Sequence, residues 1–218
     1  MTMIKGAIFD LDGTLLDSMH VWQTFGTDYL KTLGIEAGDW VNKTVMRMSL
    51  EEGTRFLREE FNLDVTSAQV SDGINRMVFD EYKNEVKVKD GVPELLEYLK
   101  NRGVKMCIAT ATDVECVEAA LEHNGILDYF GRIYTCTIVG KGKNEPDIYE
   151  KSLEFLGTDK KDTIVFEDAY HCVKTAVNAG FRVLGIYDKY EPEGEKTAAM
   201  CDWFVNDISS ITGILEKL

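Results

Sequence analysis

Proline is scarce, with 3 in 218 residues, and no stretch is of low complexity. Neither a disordered chain nor a fibrous one fits that composition. Long hydrophobic runs are missing as well. Even the run from Val104 to Ala109 is broken by Lys105, far short of the roughly 18 to 20 residues that span a bilayer. The expectation is a protein with no membrane partner. The five cysteines (107, 116, 136, 172 and 201) are odd in number and form no Cys-x-x-Cys pair, so neither a disulfide framework nor a zinc site is expected. They read as small buried apolar residues in a reducing compartment. The opening residues Met1 to Gly6 hold no apolar leader, and cytoplasm is the expected location. Basic residues are outnumbered, 24 Lys and Arg against 38 Asp and Glu, giving a net charge of −14 without any Lys/Arg cluster. Such a chain repels phosphate backbones, so nucleic acid is not an expected partner. A small anionic substrate stays open if a metal and a few local cations neutralise it.

What is present is a rhythm. Ile4 to Leu11, Val104 to Ala109, Thr163 to Phe166 and Arg182 to Ile186 read as short buried strands, and Ile133 to Val139 offers another. Helix-like stretches at Val92 to Asn101, Tyr149 to Leu156 and His171 to Ala179 alternate with them. Such alternation points to an α/β fold with a parallel sheet, which places ligands at the carboxyl ends of its strands. One region breaks the pattern. Between about Asp17 and Lys87 only helical periodicity is found, as in Val21, Phe25, Tyr29 and Leu33. Ser49 with Glu52 forms a capping-box pattern, and Ser67 is a candidate cap for a helix carrying Val70, Ile74, Met77 and Val78. The expected organisation is a Rossmann-like parallel-sheet core of residues 1–16 and 88–218, with a small α-helical cap domain, 17–87, inserted after the first strand. Tyr187 to Thr197, charged and containing Pro192, reads as a surface loop. A monomer meets every requirement of this reading.

The chemistry centres on Asp10 and Asp12, two apart at the end of the first strand, with Gly13 allowing a tight exit. An isolated Asp-x-Asp is usually only a turn. Two carboxylates kept close together need a shared proton or a cation, and Mg²⁺ held through oxygen ligands is the natural solution.

Four motifs then occur in order: Asp10-Leu11-Asp12-Gly13-Thr14, Cys107 to Thr112, Gly142 to Tyr149 around Lys143, and Val165-Phe166-Glu167-Asp168. Together they resemble the haloacid dehalogenase superfamily, in its phosphatase and β-phosphoglucomutase-like branch, over nearly the whole chain. The resemblance implies that Asp10 is a nucleophile forming an aspartyl-phosphate and that Asp12 is general acid and then base. It implies Mg²⁺ bound by Asp10, the backbone carbonyl of Asp12, Asp168 and Glu167, the last directly or through water. Thr110, with Ala111 beside it, would bind the phosphoryl group, and Lys143 would offset charge on phosphate and nucleophile. The fourth motif departs from the branch: Ala169 and Cys172 stand where serine and glycine are usual. His171 reads as structural, as does the pair Asp17-Ser18.

The inserted helices would form a lid, with His20, Trp22, Met46, Arg47 and Met48 as candidate contacts. His20 and Arg47 are the candidate substrate-binding residues among them. Trp22 reads rather as helix core. Mutases of this branch carry cations at positions that fall on Met46, Leu50 and Asp113, none of them basic. The expected activity is therefore hydrolysis of a small phosphate monoester, a sugar phosphate or similar metabolite. A β-phosphoglucomutase-type isomerase is the alternative. A dehalogenase is disfavoured by Asp12, and a non-catalytic module by the completeness of the charged set.

Overall fold

The computed structural model describes residues 4–45, 48 and 50–217. Strand β1 (Gly6–Phe9) is followed by four helices, α1 (Met19–Thr32), α2 (Trp40–Val45), α3 (Leu50–Glu60) and α4 (Ser67–Asn84). The core then resumes with α5 (Val92–Asn101), β2 (Lys105–Thr110), α6 (Val114–His123), β3 (Ile133–Thr135), α7 (Cys136–Val139) and α8 (Asp147–Leu156). It ends with β4 (Thr163–Glu167), α9 (Tyr170–Asn178), β5 (Arg182–Ile186), α10 (Gly194–Met200), β6 (Trp203–Val205) and α11 (Ile211–Leu215).

The six strands form one parallel sheet in the order β3-β2-β1-β4-β5-β6. Its strands are apolar on both faces because helices cover both. Along β1, Ala7 and Phe9 face one side and Ile8 the other, and along β4 Ile164 and Phe166 oppose Val165 in the same way. The side holding Phe9 packs on α5, α6 and α11 through Leu95, Val117 and Ile211, and its core runs on into the inserted helices through Leu30, Ile74 and Tyr82. The other side packs on α8 and α9 through Ile148, Tyr149, Val173 and Ala176. At the centre Phe9 stacks on Phe166 with ring centroids 4.2 Å apart. The architecture is a Rossmann-like parallel core with helices packed as a cap inserted after the first strand.

Three local expectations are corrected. Only Ile133–Thr135 of the run to Val139 is strand, because the Thr135 side chain accepts from the Ile138 N–H (3.1 Å) and starts a short helix. The segment read as a loop to Thr197 contains the start of α10, on which Thr197 is fully buried. The cap of α4 is Thr66, not Ser67, and Gln69 completes its capping box. Strand β6 was not anticipated. Met46, Arg47 and Ser49 lie outside the described residues.

Replacing Phe166 by alanine should remove a fully buried ring from the central strands and cost about 3–5 kcal/mol of stability. Denaturant unfolding reads this directly; a loss below about 1 kcal/mol would contradict the packing described.

Candidate active site

β1 lies between β2 and β4, and the chain leaves these strands toward opposite halves of the sheet. That reversal opens a crevice at the carboxyl ends of the strands. Phe9 pairs with Phe166, which sets Asp10 level with Glu167, and the Asp10 N–H bonds the Phe166 carbonyl at 3.0 Å. Thr110 ends β2, Asp168 follows β4, and Lys143 reaches in from the loop before α8. Gly13 is required where it stands. Its φ is +76°, and a Cβ there would run into the Asp168 carboxylate.

The result is a dense buried charge cluster. Asp10, Glu167 and Asp168 each present an oxygen within 4.8 Å of the others, and all three are buried. The Lys143 ammonium, 6% exposed, donates to Asp10 Oδ1 and, at 2.6 Å, to Glu167 Oε1. Tyr149 donates to the same Glu167 oxygen at 2.7 Å, and Thr14 Oγ1 donates to Asp168 Oδ1 at 3.3 Å. Three carboxylates face one ammonium. Burial, and next the charge of Glu167, push Asp10 up to about 7 against the pull of Lys143. Burial also raises Asp168 well above the carboxylate range, with Asp10 and Glu167 adding to it. Burial works against the charge on Lys143, but Asp10 and Glu167 outweigh it and hold the ammonium well above its ordinary value. Meanwhile Glu167 Oε2 is buried and has no hydrogen-bond partner among the described residues. An orphaned carboxylate oxygen beside two mutually repelling carboxylates is the donor set a hard divalent cation takes. The residues present fit such an ion.

Asp12 lies outside this cluster. Its Oδ1 accepts from Ser18 Oγ at 2.6 Å and from the hydroxyl of Tyr82, and its Oδ2 accepts from Thr112 Oγ1 at 2.6 Å. Trp22 Nε1 in turn donates to the Tyr82 oxygen at 2.9 Å. Two carboxylates in one pentapeptide thus sit in different settings, one among charges and one among hydroxyls. Ser18, Tyr82 and Thr112 were missed from sequence. Ser18 reads from the sequence as structural, yet it is fully buried against Asp12. A small polar residue six positions past the aspartate was the available signal for it, whereas nothing local marks Tyr82.

The remaining expected residues are placed as follows. Thr110 is buried, and its Oγ1 accepts from the Thr112 N–H at 3.1 Å. Ala111 is exposed just beyond it, and His20 is exposed on α1. Trp22 is half-buried and polar-bonded rather than plain core, Met48 is half-buried, and Arg47 is outside the described residues. His171 is exposed, with Nε2 3.2 Å from the sulfur of Cys172.

A raised carboxyl pKa gives the cation-free fold a stabilising contribution that is full below Asp10's ordinary value and is lost as pH rises through about 7. Magnesium should therefore raise the melting temperature of EDTA-treated protein strongly at about pH 8 and weakly at about pH 5, where protons compete. A magnesium shift that is absent, or equal at both pH values, would contradict a cation site here.

Residues 7–186 match the family described as haloacid dehalogenase-like hydrolase. Among curated relatives, a phosphorylated carbohydrates phosphatase of Thermotoga maritima is 25% identical over 84% of this chain and 85% of its own. The validoxylamine A 7'-phosphate phosphatase of Streptomyces hygroscopicus subsp. limoneus is 26% identical over 96% of each chain. The crystal structure of CbbY from Rhodobacter sphaeroides in complex with phosphate superposes with a TM-score of 0.79 at 21% identity, covering 96% of each chain. With most of its length matched and the charged cluster in place, the chain belongs to the haloacid dehalogenase-like hydrolases, on the branch that holds these phosphatases.

Proposed function

We propose that the protein is a Mg²⁺-dependent phosphatase acting on a small phosphorylated metabolite through an aspartyl-phosphate. The reading is carried by one observation: Asp10 stands in a buried carboxylate cluster with Lys143, while Asp12 is held apart by neutral hydroxyls. Asp10, Glu167 and Asp168, with the Asp12 carbonyl, would hold magnesium, which supplies positive charge against the phosphoryl oxygens. Asp10 attacks phosphorus, forming an Asp–phosphorus bond as the ester oxygen departs with a proton from Asp12. Asp12 then takes a proton from the water that attacks phosphorus, releasing phosphate and restoring Asp10. Thr110 hydrogen-bonds the phosphoryl oxygens. Lys143 favours the ionised form of Asp10 against burial and the neighbouring carboxylates, and it neutralises charge that gathers as the bond forms.

A mutase must also hold a second phosphate through added cations, and neither Met46 and Leu50 of the inserted segment nor Asp113 after β2 is basic. Five unpaired cysteines suit a reducing cytoplasm. No described helix is long and apolar enough to cross a membrane.

Phosphate release from a panel of sugar phosphates, nucleotides and an aryl phosphate should require magnesium and be abolished by EDTA. Asp10→Asn should lower it by about a thousandfold or more. Turnover of β-glucose 1-phosphate to the 6-phosphate without phosphate release would overturn the phosphatase reading in favour of the mutase.

A further inference from the structure

Asp12 marks the direction in which the leaving group departs. Among the described residues, a cavity of about 580 Å³ borders its cage, between α1 and α4 on one side and the start of α6 on the other. Its wall includes Thr112, which donates to Asp12, and Trp22, which donates to the Tyr82 hydroxyl that also bonds Asp12. An alcohol protonated by Asp12 therefore has this space to occupy. The volume is that of an ordinary small-molecule site.

The lining has a definite chemical character. Trp22, half-buried Phe79 and Ile138, which is 49% exposed, give it apolar surface. Exposed large apolar side chains around a cavity are what a ring or hydrocarbon face covers. Its described charged residues are Arg76 against Asp80, Asp113 and Glu115. Asp113 is fixed in place by Thr137 Oγ1 at 2.9 Å. Three carboxylates to one guanidinium repel a second anion on the substrate and favour a neutral or cationic one.

Resting on the phosphatase reading, we propose that this cleft selects phosphate monoesters whose alcohol carries an apolar ring face and no second anionic group, a cationic amine being favoured. Bisphosphates and phosphorylated carboxylic acids are the class it rejects.

Three near-isosteric esters test this on the magnesium-loaded full chain: benzyl phosphate, para-aminomethylbenzyl phosphate and para-carboxybenzyl phosphate. The neutral and amino esters should exceed the carboxy ester in kcat/KM by about tenfold or more. Asp113→Lys and, at an exposed site that spares the fold, Glu115→Gln should each narrow that ratio. Equal or preferred turnover of the carboxy ester, or ratios unmoved in both variants, would overturn the proposal while leaving the phosphatase reading intact. No metal-dependent release from any ester would remove both.

Discussion

Everything at this site depends on the unbalanced charge around Lys143. Burying one ion pair costs several kcal/mol in desolvation, and here three carboxylates are buried with a single ammonium. The fold supplies what compensation it can. Tyr149 donates from the core side of α8 to Glu167, Thr14 donates to Asp168, and Gly13 lets the loop pass close to Asp168 without a side chain. One oxygen of Glu167 still has no hydrogen-bond partner among the described residues. A hydrophobic sheet does not tolerate such an arrangement without reason. That excess of buried carboxylate makes the strand ends a donor set consistent with a divalent cation.

The second organising feature is mechanical. The cap enters and leaves the core through two chain segments that lie side by side: Asp17 N–H bonds the Lys87 carbonyl at 3.0 Å, and Lys89 N–H bonds the Leu15 carbonyl at 2.8 Å. The Lys89 ammonium then reaches the Gly13 carbonyl and, at 2.9 Å, the carboxylate of Asp188. The linker is thus tied to the loop that carries Asp10 and Asp12. From the cap itself Tyr82 reaches back to Asp12. Tyr82 thereby couples the inserted helices directly to Asp12, the residue proposed above to deliver the proton.

Sequence and structure agree most closely in the contiguous motifs. Asp10, Asp12, Thr110, Lys143, Glu167 and Asp168 stand in short motifs at strand ends or in the loop before α8, and parallel pairing brings those ends together. The inserted helices were readable for the same reason, since Val21, Tyr29, Val70 and Ile74 keep helical spacing and are buried. What escaped was set by tertiary contact. Tyr82 looks like any aromatic on an amphipathic helix, and only packing aims its hydroxyl at Asp12. Ser18 and Thr112 are small polar residues whose partner is fixed by the turn of the loop. Val139 belongs to an apolar run that suggests strand, but the Thr135 side chain caps the helical turn that contains it. Thr197 sat in a charged segment, and its burial on α10 follows from the fold around it rather than from its neighbours.

The proposed chemistry requires a carboxylate oxygen of Asp10, within this buried charge cluster, to bond phosphorus during turnover. Rapid acid quench of the magnesium-loaded enzyme during turnover of a phosphate-labelled ester, followed by peptide mapping, tests it most directly. Label should appear on the peptide containing Asp10, be lost in Asp10→Asn and be discharged by chasing with unlabelled ester before the quench. Turnover at full rate with no labelled peptide, or with the label on another residue, would contradict it.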